Sequence, residues 1–178
     1  MALNPFQALG LPLRFDLEPA AIQRAYLARV AAIHPDLAEQ DAAAAAELNL
    51  ARETLNSPEA RADLLLRLRG GPGKEEDKSL PPGFLMEIME TREAAEAALA
   101  SNDPGERARW TRWAREQRAE YVRAVGKLFE SLGTEPTAAA LKQIRTTLNA
   151  WRYIERLLEQ LDPAYNPATA DFRSSPPS

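Results

Sequence analysis

Apolar residues recur at helical spacing along nearly the whole of this chain, and strand-like runs of Val, Ile and Thr are absent. Ile22, Tyr26, Val30 and Ile33 follow one another at helical intervals and fall on one stripe at about 100° per residue. Ala, Leu, Arg and Glu dominate the composition, and the reading is all-α. Proline and glycine mark where each helix starts and stops. A short helix is expected at Pro5 to Leu9. Glu18-Pro19 opens the first long helix, with proline where its missing N–H costs little, and Pro35 ends it. An Ala-rich helix then spans Ala38 to Leu55, with Leu48, Ala51 and Leu55 as its buried face. Asn56-Ser57-Pro58 breaks it. Ser57 reads as an N-cap for a helix carrying Leu64, Leu65, Leu66 and Leu68, which stops at Gly70-Gly71.

Residues 70–83 combine Gly-Gly-Pro-Gly, a charged run and Leu80-Pro81-Pro82-Gly83. Such a composition does not support a packed element and reads as a linker. Helices near 83–100, 104–132 and 136–161 follow, with connections short enough to favour an antiparallel three-helix bundle. Residues 162–178, rich in proline and serine, read as a flexible tail. The expected organisation is an N-terminal unit at 1–69 built on a helical hairpin, a linker at 70–83, a bundle at 84–161 and the tail.

Composition removes several functions. A net charge of −4 argues against a dedicated nucleic-acid binder. The absence of cysteine excludes disulfides, thiolate catalysis and cysteine-held metal. His34 is the single histidine, so a histidine-rich metal site is excluded, and no phosphate loop or dinucleotide fingerprint is present. Neither enzymatic activity nor a cofactor is expected. No apolar run approaches the ~18 residues of a membrane span. Met1-Ala2-Leu3-Asn4-Pro5 has neither the basic nor the apolar region of a signal peptide, so a cytoplasmic location is expected. Arg107, Arg109, Arg112, Arg115 and Arg118 alternate with Glu106, Glu116 and Glu120, which reads as a solvated face with helical ion pairs. Trp110 and Trp113 beside them read as packing residues.

The helix starting at Phe84 carries a different signal. Taking Phe84 as the origin, Phe84, Ile88, Ala95 and Leu99 share one core stripe at ~100° per residue. Leu85 and Met89 fall off it, among Arg92, Glu93 and Glu96, which suggests an apolar patch with a polar rim. In the last helix Ile144, Leu148, Trp151 and Leu158 form the stripe and Tyr153 points elsewhere.

His34-Pro35-Asp36 lies between two helical patterns. Taken singly, each residue has an ordinary role: a helix-end histidine, a stop and an N-cap. Placed between two helices and preceded by a short one, the tripeptide resembles the loop of a J-domain, the module that activates ATP hydrolysis in DnaK-type chaperones. Two further motifs narrow the resemblance. Residues 49–66 read Asn-x-Ala-x-x-Thr-Leu-x-x-Pro-x-x-Arg-Ala-x-x-Leu-Leu, and residues 84–93 read Phe-Leu-Met-Glu-Ile-Met-Glu-Thr-Arg-Glu. Both resemble segments of the HscB family, co-chaperones of iron–sulfur cluster assembly, as does Asn4-Pro5-Phe6 through Leu9-Gly10-Leu11-Pro12.

The resemblance implies a J-domain that engages a DnaK- or HscA-type chaperone through His34, Pro35, Asp36 and the preceding helix, with Arg24 and Arg29. It implies a bundle that holds an IscU-like scaffold protein through Leu85, Met89, Glu90, Arg92, Glu93 and Tyr153. The chain departs from the pattern in two places. J-domains usually present several Lys and Arg on the helix before the loop; here that face reads Gln23, Arg24, Leu27, Ala28 and Ala31, with Arg29 beside the core stripe. Leu37 follows Asp36 where a basic residue is common. Charge steering toward an acidic chaperone surface is therefore expected to be weak. A J-domain protein serving another client, or a helical interaction protein with a degenerate J-domain, remains open.

Overall fold

Asn4 opens α1 (Pro5–Leu9) with a reciprocal cap: its side chain accepts from the Gln7 N–H, and the Gln7 side chain accepts from the Asn4 N–H. This computed structural model describes residues 3–33 and 38–167. Gly10 closes α1 at a φ of +66°, a left-handed backbone that glycine adopts without steric cost. A Cβ at Gly10 would stand 2.6 Å from a terminal nitrogen of Arg29, so that guanidinium lies directly against the turn. Pro19 and Pro58 take the first positions of α2 (Pro19–Ala31) and α4 (Pro58–Leu68), as expected of proline at a helix start. Between them runs α3 (Ala38–Asn56). Ser57 caps α4 by accepting from the Ala60 N–H at 3.3 Å.

Helices α2 and α3 form a hairpin in which the Tyr26 hydroxyl donates to Asn49 Oδ1 at 2.7 Å. Of the expected α2 stripe, Ile22 is fully buried, while Tyr26, Val30 and Ile33 are half-buried. The bundle consists of α5 (Phe84–Ala100), α6 (Pro104–Ser131) and α7 (Ala138–Leu161). Thr137, rather than Pro136, starts α7, because its hydroxyl accepts from the Ala140 N–H at 3.2 Å. Among the described residues every element is helical.

One apolar core runs through both halves, from Phe6, Ile22 and Leu55 through Leu65 and Leu66 to Ile88, Ile144, Leu148 and Trp151. Residues 70–83 hold no helix, yet they are not loosely tethered. The Asn149 side-chain amide donates to the carbonyls of Asp77 and Ser79, each at 2.9 Å, strapping the segment onto α7. Asp63 of α4 pairs with Arg145 of α7, whose side chain is 4% exposed. Arg61 is wholly buried, donates to the Leu55 carbonyl and lies over the Phe15 ring at 5.3 Å. Burial lowers its pKa to about 10. The Gly, Pro and charge composition suggests no packed element; the segment forms no helix, but the composition does not reveal backbone carbonyls held by a distant asparagine.

The arginine run is solvated as expected at Arg107, Arg109, Arg112 and Arg115, which are all exposed, and departs from that reading at Arg118. Arg118 is buried and donates to Glu155 Oε1 at 2.9 Å. Arg107 donates to the Leu161 carbonyl at 2.8 Å, and Arg115 pairs with Asp162 at 2.9 Å. Arg109 alone of the ion-paired members bonds within its own helix, to Glu106 at 2.8 Å. Residues 107, 115 and 118 lie on one side of α6 at ~100° per residue, and that side meets the end of α7. Trp110 and Trp113 pack edge to face, 5.6 Å apart, against a second cluster of Ala95, Ala114, Leu157, Leu158 and Leu161. Tyr165 leans into the same cluster and donates its hydroxyl to Glu155, which also accepts from Trp151 Nε1 at 2.8 Å. The first residues of the expected flexible tail are thus tied down; residues 168–178 lie outside the described residues.

Candidate functional site

His34, Pro35 and Asp36 lie outside the described residues. Helix α2 carries Arg24 and Arg29, both exposed, five positions apart and therefore about 140° apart on the helix. Arg29 is turned toward α1 and sits on Gly10. Arg24 stands on the outer side, with Gln23, Leu27, Ala28 and Ala31, all exposed. The two cations assigned to one docking surface are consequently divided between two faces.

The second surface lies on α5. Ile88, Ala95 and Ala98 turn inward, with Phe84 and Leu99 half-buried beside them. Leu85 and Met89 are 51% and 55% exposed, as their position off the stripe suggested. Met86 is more open still, at 70%, and was not singled out from the sequence. Its signal was available in the uninterrupted Phe84-Leu85-Met86 run, because three consecutive apolar residues cannot all face one core on a helix. Glu90, Arg92 and Glu93 are exposed around the patch, and Arg92 bonds Glu96 at 3.4 Å one turn away. Tyr153 differs from the expectation. It is half-buried, packs on the main core and meets Phe84 edge to face at 5.7 Å. The ring therefore supports the start of α5 as well as reaching its edge.

With four Glu and one Arg, α5 has a formal charge of 1 − 4 = −3. An apolar centre within an acidic rim suits a protein partner that brings apolar groups surrounded by cations. Glu87, one turn from the patch, helps burial push the nearby Tyr121 hydroxyl pKa upward. A shallow groove of about 200 Å³ lies between Thr91 of α5 and Arg109, Trp110 and Trp113 of α6. Among the described residues no cluster of His, Asp and Glu has the grouping of a metal site, and no helix is long and apolar enough to cross a membrane. The chemistry on offer is recognition, through flat apolar contacts edged by charge.

Comparison with known proteins gives a consistent result. The family model described as the HSCB C-terminal oligomerisation domain matches residues 80–162. A co-chaperone protein HscB homolog of Burkholderia mallei is 32% identical over 165 residues, covering 85% of this chain and 94% of that protein. A J-type co-chaperone of Schizosaccharomyces pombe, described as mitochondrial, is 42% identical over 81 residues; the match covers 42% of this chain and 36% of that protein. The structure of chaperone HscB from Vibrio cholerae superposes with a TM-score of 0.72 at 25% identity, over 90% of this chain and 96% of that one.

Proposed function

The chain belongs to the HscB family of co-chaperones, and on that premise we propose that it couples a DnaK- or HscA-type chaperone to an IscU-like scaffold during iron–sulfur cluster assembly. In this reading the protein works in the cytoplasm, has no enzymatic activity of its own and carries no cofactor. Residues 1–69 act as the J-domain, with His34, Pro35, Asp36 and Arg24 facing the chaperone and stimulating its ATPase. Residues 84–161 hold the scaffold, with Leu85, Met86 and Met89 at the centre of contact and Glu90, Arg92 and Glu93 at the rim. Tyr153 contributes from beneath, by holding the start of α5 through Phe84.

The observation that carries this reading is the patch itself. Three large apolar side chains stand more than half exposed on one stretch of a helix whose other side is packed. Such patches on folded proteins mark interaction sites, and methionine adapts to an irregular partner surface. Interface energy concentrates in central apolar groups, each contributing roughly 1.5–3 kcal/mol on burial. Calorimetric titration of a purified IscU-like scaffold is therefore expected to show the Leu85→Ala, Met89→Ala variant at least about a hundredfold weaker, with an unchanged melting temperature. Tyr153 is left intact in that variant because its removal would disturb the core.

In parallel, His34→Gln is expected to abolish stimulation of the chaperone ATPase while leaving scaffold binding intact. Undiminished scaffold binding by the α5 variant places the client surface elsewhere. ATPase stimulation by a protein that binds no IscU-like scaffold identifies a J-domain protein with another client. No stimulation by the unmodified chain identifies a degenerate J-domain.

A further inference from the structure

Tyr26 of α2 and Asn49 of α3 meet across the hairpin at 2.7 Å. The chain reverses between the two helices, so α3 runs back along α2. On each helix the next residue lies about 100° further round its own axis, and in an antiparallel pair those two rotations lead to the same side. Leu27 and Leu50 therefore emerge on one face. They are 54% and 64% exposed, and they point away from the core that holds Ile22, Ala51 and Leu55. At helical spacing Ala20 and Ala31 line up with Leu27, and Ala43 and Ala46 with Leu50; all four are exposed. The charges at its edges are of both signs, with Arg24 beside Leu27 and with Glu47 and Glu53 one turn either side of Leu50. Arg29 is on the opposite side, against Gly10, and Arg52 is turned over the Tyr26 ring at 4.4 Å.

We infer that this Leu27–Leu50 face docks an apolar patch of the DnaK-type chaperone, in place of an acidic one. The inference rests on the co-chaperone reading above and specifies the chemistry of its first partner. Leu27 lies on α2, the helix whose sequence leads on to His34-Pro35-Asp36, so on the co-chaperone reading a chaperone that engages those residues is brought to this face. It offers that chaperone two leucines in a bed of alanines with Arg24 outnumbered by Glu47 and Glu53 at the rim, which attracts an acidic surface weakly and an apolar one well. Docking is then largely indifferent to ionic strength, because exposed charges contribute little to it.

The test is a steady-state ATPase titration of the purified cognate DnaK-type chaperone with the full chain, at roughly 50 and 300 mM salt, where screening of exposed charge differs strongly. The half-maximal concentration is expected to change by less than about twofold between the two salts. Leu27→Ala with Leu50→Ala is expected to raise it by roughly tenfold or more, with the maximum rate retained because the His-Pro-Asp loop is untouched. Leu27→Lys discriminates further: it weakens docking to an apolar patch and strengthens docking to an acidic one. A steep loss with salt, tighter docking by Leu27→Lys, or an unchanged double variant each overturns the inference while leaving the co-chaperone reading standing. Absence of stimulation by the unmodified chain removes that reading and this inference together. Association of the chain with itself that disappears in the double variant, with stimulation unaffected, overturns it in favour of a second copy as the occupant.

Discussion

Helices α2 and α7 are held in opposite ways. In α2 Ile22 alone is fully buried, whereas α7 buries eleven residues, among them the side chains of Arg145 and Glu155. α7 is contacted by α4, α5 and α6 and by the strap at Asp77 and Ser79. α2 rests on α1 and α3 and leaves its outer side open. On the proposed function the difference has a rationale. A helix that presents a face to a partner can be fixed from one side only, while one that joins two functional units must be gripped all round. The stability of the molecule is thus concentrated away from the proposed docking surfaces, where surface changes alter binding with little effect on folding.

The sharpest way to break this comparison is at Glu155. Its carboxylate is fully buried and accepts from Arg118, Trp151 and Tyr165. Glu155→Ala leaves the Arg118 guanidinium buried beside no carboxylate, a change that costs about 3–5 kcal/mol when one partner of a buried pair is removed. Urea unfolding is the measurement. A loss under about 1 kcal/mol would mean that water replaces the carboxylate easily, and that α7 is gripped by apolar packing alone.

Tyr165→Phe acts on the same cluster more gently. It removes one donor to Glu155 and is expected to cost about 1–3 kcal/mol at neutral pH. Its pH dependence is more telling. Burial first, and then the Glu155 carboxylate, raises the Tyr165 hydroxyl above its ordinary value of 10.0. The folded state thus binds this proton more tightly than the unfolded state does. The associated stability is present below pH 10 and is lost as pH climbs above it. Tyr121, raised by burial and Glu87, adds a loss of the same sign. Denaturation between pH 9 and pH 11 is therefore expected to show a steep alkaline decline in the unmodified chain and a shallower one in the variant. Equal slopes would show that Tyr165 is already ionisable where it sits.

Much of this molecule could be read from its sequence, because its helices are punctuated by local signals. Pro5, Pro19, Pro58 and Pro104 each stand at the start of a helix, and these signals act over three or four residues. The start of α7 was misplaced only because Pro136 precedes a better cap in Thr137. The exposure of Leu85 and Met89 was also legible, since a helical wheel shows what cannot face inward. What was hidden depends on long-range pairing. Nothing local to Arg118 marks it as buried rather than solvated; its partner is 37 residues away. The spacing of Arg107, Arg115 and Arg118 on one side of α6 was the available clue, and the acidic residues among them obscured it. Asn149, which holds the carbonyls of Asp77 and Ser79, carries no sequence signal of that role. Tyr153 misled in a similar way, because a wheel with one stripe does not describe a helix packed on several sides.

The smallest effect is expected in the hairpin, and it tests whether α2 opens without the rest. Tyr26→Phe deletes the hydroxyl that donates to Asn49 and keeps the ring beneath Arg52. A half-buried hydrogen bond of this kind contributes about 0.5–1.5 kcal/mol. With Ile22 the one fully buried side chain of α2, the helix has few contacts to resist local opening. Amide hydrogen exchange of the variant is therefore expected to speed up along α2 and the facing part of α3, while protection in α7 hardly changes. That pattern would establish the hairpin as a separate, weaker cooperative unit resting on a rigid base, despite the core they share. Equal loss of protection in α2 and α7 would show the opposite: the core through Phe6, Ile22, Leu55 and Trp151 makes the chain a single cooperative unit, and the sparse burial of α2 does not let it open alone.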